Sequence, residues 1–143
     1  FSPGSRPELV FTLDDMRQVV EQQTAQLLDA RSFGRFSGTE TEPRPGLRSG
    51  HMPGAKNLPF SDLLDEETQC LLPEEQLRER FAAVGVQASK PVICSCGSGV
   101  TACILALGLH LIGRNDVAVY DGSWTEWGGR EDTEVEVSLL AKK

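Results

Sequence analysis

Val92-Ile93-Cys94-Ser95-Cys96-Gly97-Ser98-Gly99-Val100-Thr101-Ala102 carries an apolar run into a cysteine and then a glycine-rich turn. Pro91 to Ser95 has the composition of a strand buried on both faces. Gly97 to Gly99 make a tight turn, and Val100 to Ile112 follow as a helix with Gly113 as its stop. Ile104, Leu107 and Leu111 are the expected apolar face of that helix. Open α/β sheets place their sites at the carboxyl ends of the strands, which is where Cys96 stands. There the sulfur faces backbone N–H groups and the positive end of a helix dipole, and both favour the nucleophilic thiolate. Gly97 and Gly99 let the backbone curl around whatever the sulfur carries, and Ser98 and Thr101 add hydroxyls at the rim. Most free cysteines are packing residues, but a strand–Cys–Gly–x–Gly–helix setting points to chemistry. Cys94 lies on the same side and deeper, as a core residue or, alternatively, a resolving thiol. Cys103 reads as packing on the helix, and Cys70, near a loop, is uninformative.

The flanking segments repeat the alternation. Leu9 to Thr12 reads as a first short strand, and Thr12 N-caps a helix that runs to about Gln23 with Asp14 and Asp15 in its first turn. Ala25 to Asp29 is a short strand ending in a carboxylate. Ala30 to Pro59 is a long irregular stretch rich in glycine and proline, and a loop of that length in a compact domain is more often functional than idle. Pro73 opens a second helix that ends near Gly85. Val117 to Tyr120 is a further strand, Asp121-Gly122 turns, and Ser123-Trp124-Thr125-Glu126 has capping-box spacing. The pattern predicts one α/β domain, a mostly parallel central sheet flanked by helices, over residues 9–130. Residues 1–8 read as a linker or tail, and 131–143 as a charged, weakly patterned C-terminal tail.

The 143 residues suit one domain of ordinary size. Hydrophobic residues at 39% and charged residues at 24% are a globular rather than a disordered balance. Lys plus Arg is 14 and Asp plus Glu is 21, and the resulting charge of −7 opposes binding to nucleic acid or to an anionic membrane. No apolar run approaches the roughly 18–20 residues that span a bilayer. The start, FSPGSRPELVF, has no basic or apolar leader pattern and no initiator Met, so the chain reads as processed or cut from something longer. The four cysteines do not look like a disulfide framework, which predicts free thiols in a reducing compartment, the cytoplasm.

The cysteine loop does not suit two other chemistries. A cysteine phosphatase needs an arginine closing the loop about five residues after the nucleophile, and Thr101 and Ala102 stand there. Zinc needs four well-spaced ligands, which Cys70, Cys94, Cys96, Cys103, His51 and His110 do not supply, so no metal is expected. Arg35 and Arg44 in the long loop form either a fork for a small carboxylate or sulfonate, or a solvated face with local Glu–Arg pairs. His51, between Gly50 and Pro53, suits a tightly packed turn better than catalysis.

Together these segments resemble the rhodanese family of sulfurtransferases over nearly the whole chain. The resemblance rests on Leu28-Asp29-Ala30-Arg31, the Arg35–Arg44 loop, Gly50-His51-Met52-Pro53-Gly54-Ala55, Cys96 to Thr101, and Asp121-Gly122-Ser123-Trp124. The loop Cys96-Gly97-Ser98-Gly99-Val100-Thr101 is similar to that of members acting on 3-mercaptopyruvate. Thiosulfate-preferring members carry an Arg-Lys pair where this chain has Gly97 and Ser98. The resemblance implies a rhodanese-like fold and transfer of sulfur from a small-molecule donor, 3-mercaptopyruvate, through a Cys96 persulfide, with release of pyruvate. Thioredoxin, another thiol or cyanide would accept the sulfur, and no cofactor is required. It implies Cys96 as nucleophile and Ser98 in a proton relay. Arg35 and Arg44 would hold the substrate carboxylate and keto oxygen, and Gly97, Gly99, Val100 and Thr101 complete the binding loop. Asp29 and Arg31 are expected to be structural. Such enzymes are usually tandem, with an N-terminal rhodanese domain that contributes a His and an Asp to the relay. This chain matches the second half, so that domain is an implied partner, and neither His51 nor His110 takes the place of its residues. The alternatives are a thiosulfate sulfurtransferase or persulfide carrier, and a non-catalytic rhodanese binding module.

Overall fold

The structure is a computed structural model describing residues 9–138. The expected N-terminal linker, 1–8, and residues 139–143 of the expected tail lie outside the described residues. The chain folds in the order β1 (Val10–Phe11), α1 (Leu13–Gln22), β2 (Gln26–Asp29), α2 (Phe33–Ser37) and β3 (Lys56–Asn57), followed by a short 3-10 helix, Phe60–Leu63. Then come α3 (Glu74–Ala83), β4 (Val92–Ser95), α4 (Ala102–Leu111), β5 (Val117–Tyr120) and α5 (Ser123–Trp127). The five strands form one sheet in the order β1-β5-β4-β2-β3, and every pairing is parallel. β4 lies at the centre, with Cys94 paired to Leu28 on one side and Val119 on the other.

Strand alternation divides the core into two layers. Val92, Cys94 and Cys96 pack with Leu28, with Leu77 and Phe81 of α3, and with Ala102, Leu105 and Leu109 of α4. Ile93 and Leu27 face the other way, against Met16 and Val19 of α1, Tyr120, and Trp124 and Trp127 of α5. α1 begins as its sequence predicts. The Thr12 hydroxyl accepts from the Asp15 N–H (3.3 Å), and the Asp15 carboxylate accepts from the Thr12 N–H (2.9 Å).

Three local expectations are corrected. Residues 30–59 are not uniformly irregular, because they contain α2 and β3. α4 starts at Ala102 rather than Val100, and Val100 and Thr101 belong to the turn. Its buried face is Ala102, Leu105, Gly108 and Leu109, while Leu107 and Leu111 are about half exposed (48% and 50%). In a helix that is apolar all round, periodicity offers no contrast by which to choose a face. Gly108 decides it: a Cβ there would lie 3.2 Å from Leu63 and 3.3 Å from Phe81, so this side meets the 3-10 helix and α3 closely.

Residues 131–138 are tied across the molecule. Arg48 donates to the carbonyls of Trp127, Gly128 and Thr133, Trp127 donates to the Glu134 carbonyl, and His51 pairs with Glu136. No helix among the described residues is long and apolar enough to cross a membrane.

Candidate active site

β4 is buried at each of its residues and delivers Cys96 to the carboxyl edge of the sheet, with 1% of its surface exposed. The Cys96 carbonyl accepts from the Trp124 N–H (2.9 Å) and the Gly97 carbonyl from the Thr125 N–H (2.9 Å), so α5 ties the loop from behind. The Gly99 N–H donates to Cys96 Sγ at 2.9 Å, from the inside of the loop. Gly99 has φ +91°, and a Cβ there would stand 2.8 Å from the Asp121 carbonyl oxygen. Only glycine meets both demands.

Ser123 fixes the other side of the loop. It is fully buried and holds a left-handed backbone (φ 49°), an uncommon state for a residue with a side chain. Its hydroxyl accepts from the Cys96 N–H (3.1 Å) and donates to the Tyr120 carbonyl (2.8 Å), joining the ends of β4 and β5. This replaces the expected capping box: Ser123 makes no cap bond to its own helix, and Glu126 accepts from the Tyr120 hydroxyl at 2.6 Å.

A pocket of about 220 Å³ opens beside the loop. Gly97, Ser98 and Thr101 form one wall, and Arg35, Glu42 and Arg44 another, with Thr125 between. Arg44 donates to the Thr125 hydroxyl (3.2 Å), which itself donates to the Gly97 carbonyl (2.6 Å). Arg35 is paired bidentately with Glu42, Nε to Oε2 at 2.8 Å and Nη2 to Oε1 at 2.9 Å. The Glu42 hydrogen bond raises the pKa of the Arg35 guanidinium, so it stays charged. The two readings of this loop therefore coexist: Arg35 has a local Glu partner and still lines the pocket.

Below the pocket lies the scaffold. Arg31 is 2% exposed, grips the Asp29 carboxylate through Nε and Nη2, donates to the Gly50 carbonyl and lies 4.5 Å over the Trp124 ring. His51 is buried, stacked on Phe36 at 3.9 Å with Nδ1 on the Phe36 carbonyl, a packing role. Cys94 is fully buried in the core, and burial pushes its thiol well above the usual cysteine range. Cys103 is exposed, with Sγ 3.4 Å from the Gly99 carbonyl oxygen, because it lies off the buried face of α4; of the three residues expected on that face, only Ile104 packs against the core.

Of the residues singled out from sequence, Arg35, Arg44, Gly97, Ser98 and Thr101 come together on this pocket, and Gly99 bonds the sulfur. Val100 is 71% exposed and does not line it. Glu42, Ser123 and Thr125 were missed. Glu42 sits in the polar run Thr39-Glu40-Thr41-Glu42, which looks solvated, although its side chain is 1% exposed.

The Rhodanese-like domain family matches residues 12–130. The chain is 50% identical over 136 residues to thiosulfate/3-mercaptopyruvate sulfurtransferase 1, mitochondrial, of Arabidopsis thaliana, across 95% of this chain and 36% of that protein. It is 48% identical over 121 residues to 3-mercaptopyruvate sulfurtransferase of Homo sapiens, across 85% of this chain and 40% of that one. Among solved structures, the Tum1 protein of Saccharomyces cerevisiae superposes with a TM-score of 0.85 at 36% identity, covering 96% of this chain and 49% of that one. The chain thus spans less than half the length of these relatives.

Proposed function

The chain belongs to the rhodanese family, and from that premise we propose that it is the sulfur-carrying domain of a 3-mercaptopyruvate sulfurtransferase. The observation that carries this reading is the placement of one buried cysteine under a loop amide, beside a pocket holding two arginines. In the first half-reaction the Cys96 thiolate attacks the sulfur of 3-mercaptopyruvate. The carbon–sulfur bond breaks, its electron pair leaves with the three-carbon fragment, and that carbon takes up the proton of the thiol to give pyruvate. Cys96 is left as a persulfide, which the loop N–H groups stabilise. In the second half-reaction a thiolate acceptor, such as thioredoxin or another thiol, attacks the outer sulfur and the Cys96 thiolate leaves. Cyanide would accept the same atom.

Arg35 and Arg44 bind the substrate carboxylate and keto oxygen as charge-assisted donors. Ser98, at the pocket rim, belongs to the proton relay by family resemblance. Gly97 and Ser98, where thiosulfate-preferring members place cations, favour mercaptopyruvate as donor. Thiosulfate is the second reading, because two arginines also suit a sulfonate and the Arabidopsis relative carries both donors in its name. The remaining length of the relatives supports an N-terminal rhodanese domain as partner. Four free thiols support a reducing setting such as the cytoplasm. Intact mass after incubation with each donor tests the reading: one sulfur gained from 3-mercaptopyruvate and not from thiosulfate is expected. Gain from thiosulfate alone overturns it in favour of the second reading.

A further inference from the structure

We infer that Glu42 is a positioning residue that holds the Arg35 guanidinium over the active loop and so gives the site its preference for donors bearing a carboxylate. The inference rests on the reading of Arg35 as a substrate-binding cation.

The geometry is a relay of charges from the sheet edge to the pocket. Asp29, at the end of β2, fixes Arg31 bidentately. Arg31 Nη1 lies 3.4 Å from Glu42 Oε2, and both side chains are 1% exposed. Glu42 then takes both Nε and Nη2 of Arg35, whose side chain is 28% exposed. Two carboxylates and two guanidiniums cancel in sum, but their order is not symmetric. Both carboxylate side chains are buried, and although Glu42 also lines the pocket, the guanidinium of Arg35 is the more open end of the array there. A buried array of this kind presents a fixed positive end without reorganising when an anion arrives.

Glu42 also decides where that end stands. A Cβ on Gly97 would lie 2.8 Å from Arg35 Nη2, so the guanidinium occupies the space directly over the residue after Cys96. An arginine side chain free of Glu42 would have several rotamers open to it, and few would place its charge there. The fork uses the Nε edge on Glu42, and among the described residues Nη1 makes no hydrogen bond, which leaves it for a substrate oxygen.

The test compares two alkylating agents of similar size, iodoacetate and neutral iodoacetamide, on the purified chain. Peptide mass spectrometry reads the rate at Cys96, with exposed Cys70 in the same molecule as the reference. In the wild type, the iodoacetate-to-iodoacetamide ratio is expected to be higher at Cys96 than at Cys70. Glu42→Gln should lower the Cys96 ratio about tenfold, the scale of one charge-assisted hydrogen bond, and leave that of Cys70 unchanged. Arg35→Gln should do the same, and the double variant should go no further, because Glu42 acts through Arg35. Glu42→Asp keeps the charge beside Arg31 but shortens the reach to Arg35, and an intermediate ratio is expected. If Glu42→Gln fails to fold, a wild-type ratio in Glu42→Asp overturns the inference. An unchanged ratio in a folded Glu42→Gln, additive effects, or no carboxylate preference in the wild type would also overturn it. Failure of 3-mercaptopyruvate to load Cys96 would count against the proposed reaction, and the alkylation ratio would still decide the role of Glu42.

Discussion

Ser123 and Cys96 stand 27 residues apart in the chain, yet the hydroxyl of one holds the backbone of the other. Ser123→Ala leaves the buried Cys96 N–H without its acceptor, which costs about 1–3 kcal/mol. The expected result is a lower urea midpoint together with slower loading of Cys96 in stopped-time mass spectrometry. A stability loss with unchanged loading would make Ser123 a purely structural residue. In the proposed reaction the two arginines act on the substrate side. Arg35→Gln or Arg44→Gln removes a charge-assisted bond, and KM for 3-mercaptopyruvate should rise roughly 10–100-fold. If the bond is made equally in the ground and transition states, kcat will change little, and steady-state kinetics separates the two cases.

α4 gives the clearest test at the level of an element. Leu105 is fully buried and Leu107 is half exposed, although both are leucines two positions apart. Leu105→Ala is expected to cost about 2–5 kcal/mol, and Leu107→Ala less than about 1 kcal/mol, in chemical denaturation. The reverse order would restore the face expected from sequence. The elements that were legible are those with contrast at their edges. β2, β4 and β5 are short apolar runs between polar or turn residues, and α1 carries its cap and acidic first turn in plain order. α4 was legible as a helix but not in its orientation, because Ala102 to Leu111 has apolar residues all round. The cysteine loop and its arginines were readable because their chemistry is local or shared with a known family. Glu42 was not, since its burial depends on two guanidiniums that enclose it in space. Nor was the outcome at Ser123 to Glu126, where Tyr120 claims the glutamate and the serine turns back to Cys96.

Across the whole molecule, the net charge of −7 and the carboxylate partners set the response to acid. The Arg114 hydrogen bonds hold Asp116 below the usual carboxylate range, and the backbone N–H groups of Thr68 and Glu67 do so for Asp65. A carboxylate depressed in the folded state contributes stability above its unfolded pKa, about 3.9 for Asp, and loses it as pH falls through the folded value. The urea midpoint should therefore fall below about pH 4, and Asp116→Asn should flatten part of that fall. A midpoint that rises on acidification would contradict the sign. The site also bears on how much of the longer relatives this reaction needs. An N-terminal rhodanese domain supplied in trans should speed loading if it completes the proton relay. The intact mass of the reduced chain after incubation with 3-mercaptopyruvate, beside Cys96→Ser, tests Cys96 as the sulfur carrier. The expected result is a gain of one sulfur atom in the wild type and none in the variant. A gain that persists in Cys96→Ser, or no gain in the wild type even with the N-terminal domain added, would contradict the assignment of Cys96 as the sulfur carrier.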